Sequence, residues 1–198
     1  MIIGITGYIG VGKTTAAKFI AEAKITGYNN INNKFKVIDA DKLGHELLKQ
    51  GDVTQNIAAE FGESILDRNL KIDRKKLASI VFSNTDLLQR LNKIVHKQLK
   101  QQIRDMIIDM KNKGENAVVD VALLAEFELE ELCDIVILIK AGIDKVYDRI
   151  ISGYEKKQII NIMNNQKMPD KYDYVVENDG NLEAFESKIM QVLSKVMD

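Results

Sequence analysis

The residues from Gly7 to Thr15 have the types and the spacing of a phosphate-binding loop. They read Gly-Tyr-Ile-Gly-Val-Gly-Lys-Thr-Thr, which fits the pattern of a glycine, four residues, and then Gly-Lys followed by Ser or Thr. Glycines let the backbone turn its amide hydrogens inward around an anion, and a helix that starts near Lys13 aims the positive end of its dipole at the same place. The predicted ATP-binding residues are Gly7, Gly10, Val11, Gly12, Lys13, Thr14 and Thr15.

Two side chains of this loop carry the chemistry. Lys13 supplies a cation for the β- and γ-phosphates of ATP, and the Thr14 hydroxyl is the predicted ligand for Mg²⁺. The loop follows the apolar run Ile2 to Thr6 and continues into a helical pattern, which is the strand-loop-helix context in which this motif binds phosphate.

A pair of aspartates follows the second apolar run, in the segment Val-Ile-Asp39-Ala-Asp41. A carboxylate at the end of a strand beside the phosphates can orient an acceptor hydroxyl or Mg²⁺. Asp41 also precedes the helical pattern of Leu43, Leu47 and Leu48, so capping of that helix is a second interpretation. The two roles are compatible.

Five short apolar runs predict the strands that position these residues. They are Ile2–Thr6, Lys36–Asp39, Ala117–Val121, Ile135–Ile139 and Tyr174–Glu177. Because helical segments alternate with them, the sequence predicts an α/β fold with a five-stranded parallel sheet covered by helices, and ligands at the carboxyl ends of the strands.

The stretch from Gly51 to Lys113 breaks this alternation. It contains no clear strand and is interpreted as three successive helices inserted into the core. The predicted organisation is therefore a single compact chain, with a nucleotide-binding core formed by residues 1–50 and 114–198 and a helical insertion at 51–113.

Composition narrows the function classes further. The chain has 198 residues, 45% of them hydrophobic and 29% charged, which is typical of a globular enzyme. A net charge of -1 does not favour binding along nucleic acid or an anionic membrane surface. The single cysteine, Cys133, excludes an internal disulfide, and the first residues carry no basic leader, so we expect a cytoplasmic protein.

Several segments together resemble the dephospho-coenzyme A kinase family. They are the phosphate loop, Val37–His45 with its Asp-Ala-Asp, Leu91–His96, Val118–Leu124 and Tyr174–Gly180. The segments occur in the family's order and cover most of the chain. The resemblance implies a P-loop core on a five-stranded parallel sheet, with the insertion at 51–113 binding coenzyme A and a short lid at about 141–165.

The same resemblance implies the reaction. The ATP γ-phosphate is transferred to the ribose 3′-hydroxyl of dephospho-coenzyme A, with Mg²⁺ as the cofactor. It assigns Asp41 as the general base, and Arg149 with Lys13 as the groups that gather the charge of the transferring phosphoryl group. The residues that it places around the acceptor are Asp41, His96, Leu123 and Leu124, and Asp39, at the end of the second apolar run, is a further predicted acceptor contact. Asn178 and Gly180 are expected to form a backbone wall for the adenine of ATP or a plain turn.

The chain departs from the family pattern in three places. Lys97 and Ala122 stand where the family usually has proline, and Arg149 is alone where the family commonly has two lid arginines, so Lys156 or Lys157 would have to take the second place. Arginine and lysine are not equivalent around a phosphoryl group. Two alternative functions therefore remain: another small-molecule kinase, such as one acting on nucleoside monophosphates, and a degenerate module that binds nucleotide without transferring phosphate.

Overall fold

The computed structural model describes residues 1–23, 34–81, 84–150 and 156–197. The strands are β1 Ile2–Thr6, β2 Phe35–Asp39, β3 Asn116–Asp120, β4 Ile135–Lys140 and β5 Tyr174–Glu177. The helices are α1 Lys13–Glu22, α2 Ala40–Leu47, α3 Gly51–Phe61, α4 Arg74–Val81, α5 Thr85–Asn112, α6 Ile143–Arg149, α7 Lys156–Asn165 and α8 Leu182–Met197, with short 3₁₀ helices at Glu63–Ile65 and Glu130–Leu132.

The five strands form one sheet in the order β2-β3-β1-β4-β5, and every pair is parallel. This confirms the predicted α/β class, and each predicted strand agrees with the structure to within one residue at either end. The chain reverses its direction of winding at β1, because β2 and β3 lie on one side of that strand and β4 and β5 on the other. The carboxyl end of β1 is therefore the switch point at which such sheets bind ligands.

The central strand is buried along its whole length, as expected for a strand covered by helices on both faces. α1 buries Ala16, Ala17 and Ile20, whose small or branched side chains allow close packing on the sheet. α8 packs beside it, and the Phe19 and Phe185 rings meet edge to face with centroids 5.9 Å apart. This core holds the beginning of α1, and with it the phosphate loop, in a fixed place.

The chain divides into two compact units, residues 1–39 with 104–198 and residues 40–103. The first unit contains the sheet. The second contains α2, α3, α4 and residues 85–103 of α5, and it has its own buried apolar residues, among them Ile57 on α3, Ile65 and Leu77 on α4. The sequence predicted one compact chain with an insertion at 51–113; the second unit starts earlier, at α2, and ends earlier, within α5. Among the described residues, no helix is both long enough and apolar enough to span a membrane.

Candidate active site

The phosphate loop, Gly7–Thr15, leaves the carboxyl end of β1 in a conformation that requires glycine. Gly7, Gly10 and Gly12 have φ values of 147°, 73° and 102°, a region that residues with a Cβ rarely adopt. A Cβ on Gly7 would lie 2.3 Å from the Ile139 carbonyl oxygen, and one on Gly12 would lie 2.6 Å from Asn178 Nδ2. The loop is therefore fitted closely against the ends of β4 and β5.

Lys13 and Thr14 are the first residues of α1, and among the described residues no side chain caps the N-terminus of this helix. Its first backbone N–H groups are thus left for an anion, as in other phosphate sites at helix N-termini. Lys13 Nζ donates to the Tyr8 carbonyl oxygen at 2.8 Å, and Thr14 Oγ1 donates to Asp120 Oδ2 at 2.6 Å. Of the other predicted loop residues, Val11 is fully buried and Thr15 is half-buried.

Asp120 is a site residue that the sequence analysis did not single out. It ends β3, is only 7% exposed, and pairs in register with Ile5 of β1 and with Asp39 at the end of β2. A buried carboxylate needs a polar partner, and the Thr14 hydroxyl is one of its partners. The available signal was an aspartate at the carboxyl end of an apolar strand next to β1, which is where ligands of such sheets bind.

Asn178 follows β5 and connects the phosphate loop to α6. Its Nδ2 donates to the Val11 carbonyl oxygen at 2.8 Å. Arg149 Nη2, at the end of α6, donates to the Asn178 carbonyl oxygen at 2.7 Å and to Oδ1 at 3.3 Å, and the Asn178 backbone N–H donates to the Lys140 carbonyl oxygen at 2.7 Å. The backbone polar groups and the side chain of Asn178 are therefore all engaged within the protein.

The next two residues also belong to this loop. Asp179 Oδ1 accepts a hydrogen bond from the Gly142 N–H at 2.7 Å, at the start of α6. Asn178 and Asp179 thus hold the two ends of one short helix. Gly180, the other residue of the predicted adenine wall, is exposed.

The predicted lid at 141–165 contains α6 and α7, while residues 151–155 lie outside the described part of the chain. Lys156, a candidate for the second lid cation, forms an ion pair with Asp144, and the hydrogen bond from Lys156 lowers the pKa of Asp144. Lys157 is exposed. Just after α7, Gln166 Nε2 donates to the Ala122 carbonyl oxygen at 2.6 Å and to the Gly7 carbonyl oxygen at 3.2 Å.

The segment after β3 runs through turns from Ala122 to Glu128 and contains both predicted leucines. Leu124 is fully buried, and its Cδ2 lies 3.3 Å from the position of a Cβ on Gly4 of β1, so its side chain is part of the core. Leu123 is half-buried. Gln166 binds the turn at Ala122, which joins this segment to the start of the phosphate loop.

The other predicted acceptor residues belong to the second unit, except Asp39, which is half-buried at the end of β2. Asp41 is exposed in the first turn of α2, where a carboxylate interacts favourably with the helix dipole. His96 is half-buried on α5. The first unit therefore brings together the phosphate loop, Asp120, Arg149, Gln166 and Asn178, and the second unit carries Asp41 and His96.

Comparisons with known proteins match the chain to one protein family. The family model described as dephospho-CoA kinase matches residues 1–184. The chain is 35% identical to the dephospho-CoA kinase of Fusobacterium nucleatum, with 96% of this chain and 95% of the relative covered, and 33% identical to that of Bacillus licheniformis, with 98% and 95% covered. The fold is similar to the solved structure of dephospho-CoA kinase from Campylobacter jejuni, with a TM-score of 0.69 at 21% identity over 98% of this chain and 96% of that one.

Proposed function

The chain belongs to the dephospho-CoA kinase family, and we propose from this membership and from the phosphate loop that it transfers the γ-phosphate of ATP to the 3′-hydroxyl of dephospho-coenzyme A. The observation that carries the reaction class is the glycine loop, followed by an uncapped helix, at the carboxyl end of β1. The family match over residues 1–184 carries the choice of acceptor.

The phosphate loop holds the triphosphate through its inward amides and Lys13. Lys13 Nζ already contacts the Tyr8 carbonyl oxygen at 2.8 Å, so its ammonium group is kept beside the loop. Arg149 is the second cation, and Asn178 keeps it next to the loop. Because phosphoryl transfer depends mainly on positioning and on stabilising developing charge, these two cations supply the main electrostatic part of the catalysis.

Mg²⁺ fits the pair formed by Thr14 and Asp120. A hydroxyl and a carboxylate oxygen 2.6 Å apart at the end of the sheet are hard oxygen ligands of the kind that Mg²⁺ prefers, together with water and phosphate. When bound, the ion would neutralise charge on the β- and γ-phosphates. In this proposal Thr14 is the direct ligand, and Asp120 orients it or joins it.

The acceptor side of the proposal rests on the family pattern. Asp41 accepts the proton from the attacking hydroxyl, with Asp39 and His96 as further acceptor contacts. Asp41 is exposed, so its carboxylate is accessible to an acceptor hydroxyl, as a general base must be. Leu124 is fully buried and Leu123 is half-buried, which supports Leu123 as the leucine of that segment that contacts the acceptor.

The adenine base is proposed to lie along the loop after β5. The Asn178 backbone N–H and carbonyl groups form hydrogen bonds with Lys140 and Arg149, so the backbone at Asp179 and Gly180 is left to contact the base.

A cytoplasmic location is also part of the proposal, and the unpaired thiol of Cys133 supports it, because such a thiol is typical of a reducing compartment.

The test is ADP release by the purified protein with Mg²⁺ and ATP. Dephospho-coenzyme A should stimulate release and yield a product heavier by one phosphate, whereas coenzyme A, whose 3′-hydroxyl is already phosphorylated, should give no stimulation. Stimulation by a nucleoside monophosphate in place of dephospho-coenzyme A would assign a different kinase activity. ATP binding without any stimulated release would indicate a module that binds nucleotide only.

The Mg²⁺ assignment has its own test, the Asp120→Asn variant. The amide keeps the shape of the side chain but removes its charge, so we expect the Mg²⁺ concentration for half-maximal rate to rise about 10- to 100-fold. A Mg²⁺ titration of turnover measures this. The exposed Asp170→Asn variant is the control, and an unchanged Mg²⁺ requirement in Asp120→Asn would remove Asp120 from the site.

A further inference from the structure

The Asn178 carboxamide lies between the phosphate loop and Arg149, and it donates a hydrogen bond to one and accepts a hydrogen bond from the other. Nδ2 donates to the Val11 carbonyl oxygen of the phosphate loop at 2.8 Å, and Oδ1 accepts from Arg149 Nη2 at 3.3 Å. A carbonyl oxygen can only accept, and a guanidinium can only donate. The partners therefore fix the orientation of the amide, and no other orientation satisfies both contacts.

A second observation ties the same helix to the same loop. A Cβ on Gly10 would lie 3.0 Å from side-chain carbons of Val146 and Ile150, so α6 and the residue after it pack directly on the phosphate loop. Val146 and Arg149 are three residues apart on α6 and thus lie on one side of the helix. The end of α6 is held against the loop by apolar packing and, through Asn178, by hydrogen bonds.

The guanidinium itself is only partly satisfied. Nη2 is bound by the Asn178 backbone and side-chain oxygens, whereas Nη1 is buried without a hydrogen-bond partner among the described residues. A buried hydrogen-bond donor without a partner lowers stability, so its presence in a native structure calls for an explanation. A phosphate oxygen would satisfy this donor.

We propose that Asn178 is a positioning residue, which fixes Arg149 relative to the phosphate loop by joining both through one buried carboxamide. This inference rests on the proposed phosphotransfer, since it assigns to Arg149 a part in turnover. Both ends of its side chain have partners within the protein, so no contact with ATP or the acceptor is assigned to the Asn178 carboxamide. It sets where the cation lies when the phosphates are bound, and it holds the loop carbonyl at Val11 so that the neighbouring amides keep facing inward.

The experiment is a double-mutant cycle of Asn178→Ala and Arg149→Ala, followed by turnover with dephospho-coenzyme A. A misplaced catalytic group costs up to about 100-fold in rate, so we expect each single variant to lower kcat by about 10- to 100-fold. If Asn178 acts on kcat through Arg149, the double variant should be no slower than Arg149→Ala alone. Multiplication of the two effects on kcat, or an unchanged kcat in Asn178→Ala, overturns the proposal.

Asn178→Asp separates the two ends of the carboxamide. The carboxylate keeps an acceptor for Arg149 but has no donor for the Val11 carbonyl oxygen, so the Kd for Mg²⁺-ATP should rise while kcat stays closer to the wild-type value than in Asn178→Ala. Since Asp has nearly the shape of Asn, this variant also remains informative if the alanine variant is too unstable to study. An unchanged Kd for ATP in Asn178→Asp contradicts the proposed link to the loop.

Asn181→Ala is the matched control, three residues further along the chain. Asn181 Oδ1 accepts from the Ala184 N–H at 2.9 Å and caps α8, so its loss should lower stability without changing kcat or the Kd for ATP. If the wild-type chain binds ATP but does not phosphorylate dephospho-coenzyme A, the proposed function fails, whereas the Kd comparison of Asn178→Asp with wild type still decides the inference about the loop.

Discussion

Two loops leave the same edge of the sheet, one after β1 and one after β5, and they are built on opposite principles. The phosphate loop makes its site from backbone, and its glycines are needed because no Cβ fits. The loop after β5 works through side chains, since Asn178 and Asp179 hold Val11, Arg149 and α6 in place. The first loop is thus suited to surround an anion, and the second to position what lies around it.

The two loops are therefore not equally easy to recognise in a sequence. A backbone cradle needs particular residue types at fixed local spacing, so it leaves a motif. Side-chain anchors need only a partner that the fold brings near, and their partners lie far away in the chain: Asn178 and Val11 are 167 residues apart. A contact between residues so far apart in the chain leaves no local sequence pattern.

The greatest loss of activity is expected at Lys13, the side chain that adds a cation to this backbone cradle. Lys13→Met removes the charge but keeps most of the length of the side chain, and we expect kcat to fall about 100- to 1000-fold, as for loss of one preorganised donor to developing charge. Steady-state turnover at saturating ATP measures this. Lys18→Met, on the exposed side of α1, is the control. A fall of less than tenfold would mean that the cradle works through its amides alone.

The sequence predicted the fold well because the signals were local. Each strand was a short apolar run, and the parallel orientation of the strands followed from their alternation with helices. The boundary of the second unit was not predicted, since the apolar stripe of α5 continues without a break through residue 103, where that unit ends. The helical spacing of apolar residues does not show which of the two units each turn of α5 belongs to.

Within the site, the sequence shows the residue types of the phosphate loop but not the distant residues that contact them. The phosphate loop was found from its motif, but its link through Thr14 to Asp120, 106 residues away, was not. Leu124 was expected beside the acceptor on the strength of the family pattern alone, and the structure buries its side chain against β1. In an irregular turn no periodicity tells which side chains face the core, so only the fold could decide this.

The two loops meet at Gly12, and substitution of this residue should have an effect of intermediate size. Gly12→Ala has to place a Cβ 2.6 Å from Asn178 Nδ2 at a φ of 102°. The left-handed backbone alone costs about 1–2 kcal/mol for a residue with a Cβ, and the displaced carboxamide adds to it. Denaturant unfolding should show a lower free energy of unfolding, and the Kd for ATP should rise.

Gly114→Ala is the matched control for Gly12→Ala. Gly114 also has a positive φ, 64°, but an added Cβ there meets no atom of the described residues within 4 Å. The difference in the free energy of unfolding between the two variants therefore measures mainly the cost of crowding around Gly12, where Asn178 Nδ2 is the nearest group and Phe185 Cε1 follows at 3.4 Å. Equal losses of stability would show that the two loops are not coupled at this point.

The smallest effect is expected at Asp179, the second anchor of the loop after β5. Asp179→Ala loses the hydrogen bond from the Gly142 N–H at the start of α6, which should lower the free energy of unfolding by about 1 kcal/mol. Asp179→Asn keeps an acceptor oxygen and should restore most of this loss. Because Arg149 lies at the other end of α6 and is held there by Asn178, kcat should fall less than in Asn178→Ala. If Asp179→Ala and Asn178→Ala lower kcat equally, α6 moves as one rigid helix and the loss of either anchor misplaces Arg149. A smaller loss of kcat in Asp179→Ala assigns the positioning of Arg149 to the Asn178 carboxamide.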